Sequence, residues 1–244
     1  MELIMEKAPG KRHMERDIAL FNKCENGSNK TILCVYQWNP PCISLGYSQK
    51  IEDEIDAEKA SKLGWEVVKR PTGGGIVFHN EAEVTYSLIT SIDSLPEGLI
   101  PSFMKISGVI VEALGGIGID SEIRNPKSEI RNKSQFSKFE FNKFDIISNF
   151  DIRHSNLCFS YPASYEIVSN GKKIVGSAQK RGKHSLLQQG SIFVSRIPDE
   201  LLSVLRKEHE KINAISIEEI LGRLPTFEEL SVMLIKSFRK LYDE

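Results

Sequence analysis

The sequence predicts a single α+β domain, with a mixed or antiparallel central sheet flanked by helices. Three observations point there. Runs rich in β-branched and aromatic residues dominate the middle of the chain. Apolar residues at helical spacing frame those runs. An Asn-Gly pair, Asn170-Gly171, sits between two strand-like runs, which is the strongest short hairpin signal. The chain has 244 residues, 40% of them hydrophobic, enough for one large core.

The N-terminus, MELIMEKAPGKRHMERD, is charged and has no apolar stretch of a secretory signal. TILCVYQWNPPCISLGYS, 31–48, reads as two strands joined at Asn39-Pro40-Pro41. IEDEIDAEKASKLG, 51–64, reads as one helix, with acidic residues early, lysines late and Gly64 as its stop. WEVVKR, the glycines of 73–75, and IVFHNEAEVTYSLIT read as strand, turn and strand. Val84, Tyr86 and Leu88 alternate with Thr85 and Ser87, as in a half-buried strand. A helix is expected over 101–119, with Phe103, Ile106, Val109, Ile110 and Leu114 as its stripe and Gly115-Gly116 as its end.

Residues 121–155 differ in character. SEIRN occurs at 121–125 and again at 128–132, and FSKFE is echoed by FNKFD. This is a low-complexity surface insertion, its period far too short for a repeat fold. Beyond it, ASYEIVSNGKKIVGSAQKR reads as a hairpin and SLLQQGSIFVS as another strand. From Pro198 onward the chain reads as helical, through Leu201, Leu202, Leu205, Leu230, Met233, Leu234 and Phe238.

Charge and composition exclude several classes. Lys+Arg 32 nearly balances Asp+Glu 33, so no global basic field favours nucleic acid. No apolar run approaches the ~20 residues that span a bilayer. The four cysteines, Cys24, Cys34, Cys42 and Cys158, form no CxxC pair. The histidines have no metal-ligand spacing, so no metal is expected. A cytoplasmic protein with reduced thiols is the expectation.

RPTGGGIVFHN, 70–80, carries the first candidate site. Three glycines weaken any regular element, so the chain either takes unusual backbone angles or admits a close neighbour. The plain reading is a tight turn with a bulge. It is neither a Walker loop nor GxGxxG opening a helix. Arg70 offers a fork for an acidic group, and backbone N–H groups could face a ligand. In GKKIVGSAQKR, Lys173 stands at a strand start, where it is either an exposed lysine or an ammonium aimed at a carbonyl or phosphate oxygen. A lone cysteine such as Cys158 is ordinarily an inert small hydrophobe.

In order, NPPCISLGYSQ, VKRPTGGGIVFHN, CFSYPASYEIVSNGKKIVGSAQKR and LLQQGSIFV resemble the biotin/lipoate protein ligase and acyltransferase superfamily, in its lipoate–protein ligase A branch. The resemblance spans about 13–120 and 156–207, and is nearest to the LipM-type octanoyltransferases. It implies the ligase-like catalytic fold, with Cys158 as nucleophile and Lys173 as its catalytic partner. It implies substrate contacts at Arg70, Gly73, Gly74, Gly75, His79, Gly176, Ser177, Ala178 and Gly190. Octanoyl would come from acyl carrier protein and go to a lysine of a lipoyl domain or of glycine cleavage H protein, with no cofactor. An ATP-dependent lipoate ligase, using ATP and magnesium, and an amidotransferase between carrier proteins are the alternatives within the branch. Relatives often carry a histidine where this chain has Gln189, and His184 lies nearby. Because carrier proteins and lipoyl domains are usually acidic, a basic rim including Lys172, Lys180 and Arg181 is expected.

Overall fold

In a computed structural model, the structure describes residues 1–124, 165–207 and 212–243. Most of the insertion, together with Cys158, His154 and His209, lies outside the described residues.

Two sheets form the frame. The larger has seven strands in the order β1-β2-β6-β10-β9-β8-β7. Strand β1 (Glu2–Ala8) leads through helix α1 (Gly10–Glu25) to β2 (Ile32–Trp38), which pairs parallel to β1. The helix supplies the crossover that a parallel pair requires. Strands β6 (Val84–Ser91), β10 (Ser185–Ile192), β9 (Lys172–Arg181), β8 (Ile167–Ser169) and β7 (Glu122–Ile123) then follow antiparallel. The smaller sheet has three strands, β4 (Glu66–Lys69), β3 (Cys42–Leu45) and β5 (Val77–His79), with β3 central, parallel to β4 and antiparallel to β5. The mixed sheet flanked by helices is the architecture the sequence predicts.

Several local readings hold and several are corrected. The Asn170-Gly171 turn has φ of 51° and 72°, both positive as a two-residue type I′ hairpin demands. The helix expected at 101–119 is α4 (Leu99–Gly115), and the left-handed residue after it is Gly118 at φ 85°. The two strands of 31–48 belong to different sheets, β2 to the large and β3 to the small. IVFHNEAEVTYSLIT likewise divides between β5 and β6. Asn80 Oδ1 accepts from the N–H groups of Ala82 and Glu83 and turns the chain between them.

The helix expected at 51–64 breaks into α2 (Ile51–Glu54) and α3 (Ala57–Lys62), because Ile55 is extended and Asp56 caps the second piece through Lys59 N–H at 3.0 Å. The tail opens with a 3-10 turn at Asp199–Val204 before α5 (Ile217–Leu221) and α6 (Phe227–Asp243). The first residues assigned to the insertion are part of the sheet, as β7.

Strand β6 is buried on both faces rather than half-buried. Val84, Tyr86 and Leu88 enter the main core, which is completed by Ile106, Ile110 and Leu114 of α4 and Leu230, Leu234 and Phe238 of α6. On the opposite face Thr85 and Ser87 meet α1 and its neighbours. The alternation is therefore real, but its polar half faces a buried polar cluster instead of water.

That cluster comes from α1, which sequence reading passed over as a charged terminus. Asp17 is fully buried. Its Oδ1 accepts from Arg16 Nε (3.1 Å) and Nη2 (2.8 Å), and its Oδ2 accepts from Ser87 Oγ and from Gln189 Nε2 (2.8 Å). His13, also fully buried, donates from Nε2 to the Gln37 carbonyl at 2.9 Å and accepts at Nδ1 from Arg16 Nη1 at 3.1 Å. Both ring nitrogens are thus used by the neutral imidazole. Burial, aided by the Arg16 charge, holds its pKa below the usual value.

A consequence concerns pH. The unfolded histidine takes up a proton as pH falls through about 6.5, and the folded one does not, so His13 makes folding less favourable below that pH and has no effect above it. Thermal melts from pH 7.5 to 5.5 are expected to show falling stability, at most about 1.4 kcal/mol per pH unit for this group. His13→Gln, which keeps a donor toward Gln37, flattens that dependence. An unchanged slope in the variant would contradict the assignment.

Candidate active site

A cleft opens between the two sheets. It is lined by Met14 of α1, Tyr36 and Trp38 of β2, Ser44 of β3, Arg70 just after β4, Val77 and His79 of β5, Thr85 of β6, Gly176, Ser177 and Ala178 of β9, and Gln189, Gly190 and Ser191 of β10. Arg70, His79, Gly176, Ser177, Ala178 and Gly190, read from the sequence as substrate contacts, are thus brought together here.

The glycine loop is organised by Arg70, which is 7% exposed. Its guanidinium donates to the carbonyls of Gly73 (2.8 Å from Nη2), Gly75 (2.6 Å) and Ser44 (3.0 Å from Nη1), and to Ser44 Oγ (3.1 Å). The fork expected from the sequence to meet an acidic ligand builds the loop. Gly74 has φ 89°, a region that side chains disfavour. Gly46 lets the loop approach: a Cβ there would lie 2.0 Å from the Gly74 carbonyl oxygen. Gly73 meets no such neighbour within 4 Å. Of the three loop glycines the structure thus gives a backbone reason for Gly74, and adds Gly46, which sequence reading missed.

From Arg70 a line of hydrogen bonds runs to β10. Ser44 Oγ accepts from Arg70 and lies 2.7 Å from His79 Nε2, to which its hydroxyl donates. The other ring nitrogen, Nδ1, then donates to Glu83 Oε1, which also accepts from Ser191 Oγ. Burial, with Arg70 and His13 nearby, keeps the His79 pKa well below its usual value, consistent with a neutral ring in this line. The ring stacks on Trp38, centroids 4.0 Å apart and planes 15° from parallel. His79 is therefore a fixed wall of the cleft.

Gln189 joins three elements. Its Oε1 accepts from Thr72 Oγ1 at 2.7 Å, beside the glycine loop, and its Nε2 donates to Asp17 of α1. An amide serves here because one end must accept and the other donate. Next to it, Gly190 leaves room for Tyr86: a Cβ there would lie 2.2 Å from the ring. Tyr86 Oη meets Ser177 Oγ (3.0 Å) and accepts from Gln188 Nε2 (2.8 Å).

Lys173 stands at the start of β9 and is 1% exposed. Its ammonium pairs with Glu166, a partner the sequence reading did not name. A buried ammonium requires such a counter-charge. Cys158 lies outside the described residues. Cys24, Cys34 and Cys42 are buried thiols whose pKa is raised by burial, that of Cys34 to about 12, which suits packing and not nucleophilic attack. Among the described residues no group of three or more His, Cys, Asp or Glu is placed to hold a metal ion. Nor is any helix among them long and apolar enough to cross a membrane.

The loop geometry separates two similar substitutions. Gly46→Ala forces Cβ against a backbone carbonyl and should destabilise by about 1–3 kcal/mol or more, as overpacking does. Gly73→Ala enters open space and should change stability by well under 1 kcal/mol. Urea unfolding of both variants checks the ordering. Equal effects would overturn the close approach of Gly46 and Gly74.

The catalytic-domain model of the lipoyl protein ligases A and B matches residues 9–239. The chain is 34% identical over 240 residues to octanoyltransferase LipM of Geobacillus kaustophilus (strain HTA426), covering 93% of this chain and 81% of that protein. It is 36% identical over 211 residues to octanoyltransferase LipM of Carboxydothermus hydrogenoformans (strain ATCC BAA-161 / DSM 6008 / Z-2901), covering 84% and 70%. Among solved structures, lipoate-protein ligase A bound with ATP superposes with a TM-score of 0.73 at 22% identity, over 99% of this chain and 85% of that one. A bi-partite lipoate protein ligase from Thermoplasma acidophilum gives 0.68 at 21% identity, over 99% and 83%. At these identities the solved structures establish a shared fold. The chain belongs to the lipoyl protein ligase A/B catalytic domain family.

Proposed function

We propose that this chain is an octanoyltransferase of lipoate biosynthesis that takes octanoyl from acyl carrier protein onto Cys158 and delivers it to a lysine of a lipoyl domain or of glycine cleavage H protein. The observation that carries the reading is its similarity to octanoyltransferases along most of their length. The cleft supports it. Gly176, Ser177 and Ala178 line the cleft with short side chains, and Lys173 lies on the same strand.

The chemistry has two halves. The Cys158 thiolate attacks the carbonyl carbon of the octanoyl thioester. A new C–S bond forms, the bond to the carrier's phosphopantetheine sulfur breaks, and that sulfur leaves as a thiol after taking up a proton. The neutral ε-amine of the acceptor lysine then attacks the acyl-enzyme. The amide C–N bond forms, the C–S bond to Cys158 breaks, and the proton lost by the amine returns to the sulfur. A thiol is mostly protonated at neutral pH, so it needs a nearby positive charge. In this reading the Lys173 ammonium, which pairs with Glu166, supplies that charge and faces the developing oxyanion. The thioester is already activated, so ATP is not needed. Arg70, which holds the glycine loop, lines the cleft with His79 and Trp38, where the acyl chain would lie.

Intact-protein mass spectrometry with octanoyl-acyl carrier protein and no ATP tests this. The wild type is expected to gain a hydroxylamine-labile octanoyl adduct that Cys158→Ser lacks. Acylation only from octanoylated H protein would assign the amidotransferase activity instead. Lipoate attachment that needs ATP and survives Cys158→Ser would replace the reading with a ligase.

A further inference from the structure

The chain carries almost no net charge, so attraction of an acidic protein substrate must be local. One surface feature supplies it. Tyr47 is 66% exposed, the most exposed of the large hydrophobic side chains among the described residues. It follows Gly46, the residue that admits the glycine loop, and its N–H donates to the Thr72 carbonyl at 2.8 Å. Its backbone is therefore anchored at the loop. Two ammonium groups converge on it: Lys69 Nζ lies 5.6 Å from the ring centroid and Lys180 Nζ lies 5.7 Å from it. Lys180 is also 5.3 Å from the Phe21 ring of α1, so two aromatic faces orient one ammonium. Among the described residues neither lysine is matched by a carboxylate in an ion pair. The nearby Glu25 carboxylate is engaged by the N–H groups of Lys183, His184 and Ser185.

The patch adjoins the cleft. On β9, Gly176 and Ala178 line the cleft, and Lys180 continues the same alternate face. The other basic residues expected at the rim are placed differently. Arg181 donates to Ser102 Oγ at 2.9 Å and is spent within the fold, and Lys172 is at the far end of β9, beside the hairpin turn.

We infer that Lys69, Tyr47 and Lys180 form the docking patch for the acidic face of the octanoyl-carrying acyl carrier protein. This rests on the proposed transferase reading and names where its donor sits. Distance selects the donor over the acceptor. Lys173 and Lys180 are seven residues apart on one continuous strand, about 23 Å at ~3.3 Å per residue. An acceptor offers only a lysine side chain, so its body must sit directly over the reacting centre. A carrier protein presents its thioester at the end of a long prosthetic arm, and its body can rest at the remote patch while the arm crosses the cleft. Aromatic and ammonium groups already held in place lose little freedom on docking.

The test measures acylation of Cys158 in wild type, in Lys69→Glu/Lys180→Glu and in Tyr47→Ala, using octanoyl-acyl carrier protein and octanoyl-pantetheine as donors. The double variant is expected to lose about tenfold or more in rate with the carrier, and to lose much of the wild type's salt dependence. With octanoyl-pantetheine, which has no carrier and no phosphate, all three should agree within about twofold. Tyr47→Ala should show a smaller, carrier-specific loss. Equal rates with the carrier, or equal losses with both donors, would overturn the patch. A defect confined to transfer from a preloaded acyl-enzyme to a lipoyl domain would overturn it in favour of the acceptor. Wild type acylated by neither donor would overturn the transferase reading itself, and the patch with it.

Discussion

The buried Arg70 guanidinium is the constraint on which the cleft depends. It gathers the carbonyls of Gly73 and Gly75 from the loop and of Ser44 from β3 around one cation. Each of these carbonyls would otherwise face a poorly solvated interior, where a missing hydrogen bond costs about 1–3 kcal/mol. Arginine suits the place because its planar fork reaches several acceptors at once, which a lysine ammonium cannot do with the same geometry. The loop accepts these bonds only because Gly74 adopts φ 89° and Gly46 presents no Cβ. The interaction thus fixes the small sheet to the loop and gives the cleft one wall.

The other wall is tied to it by polar groups. Thr72, beside the loop, reaches Gln189 of the large sheet, and Gln189 reaches Asp17 of α1. Ser44 and His79 make the second link, to Glu83 and Ser191. Buried polar chains of this kind hold position when every member is satisfied. They leave the cleft lined by mostly apolar groups and by the short side chains of β9, as an acyl chain requires.

Much of the architecture was legible in the sequence. The Asn170-Gly171 turn, the strand-rich middle and α4 follow from local chemistry, and the order of the motifs pointed to the family. The parts that were not legible depend on contacts distant along the chain. Asp17 and His13 sit among charges in a segment that looks like an exposed terminus. Only the approach of Ser87 and Gln189 reveals them as interior. Gly46 and Gly190 look like ordinary loop and strand glycines until Gly74 and Tyr86 are placed beside them. Thr85 and Ser87 mimic a solvent face because a polar core and water select the same residue types. Glu166, eleven residues beyond the low-complexity stretch of 121–155, gains meaning only from its pairing with Lys173.

The most direct test of this account is hydrogen–deuterium exchange of residues 71–79 in Arg70→Lys against wild type. The account predicts that amides of this segment exchange at least about tenfold faster in the variant, while those of α6 are unchanged. Wild-type protection throughout 71–79 in a folded Arg70→Lys protein would show that the loop stands without the guanidinium, and would contradict its central place.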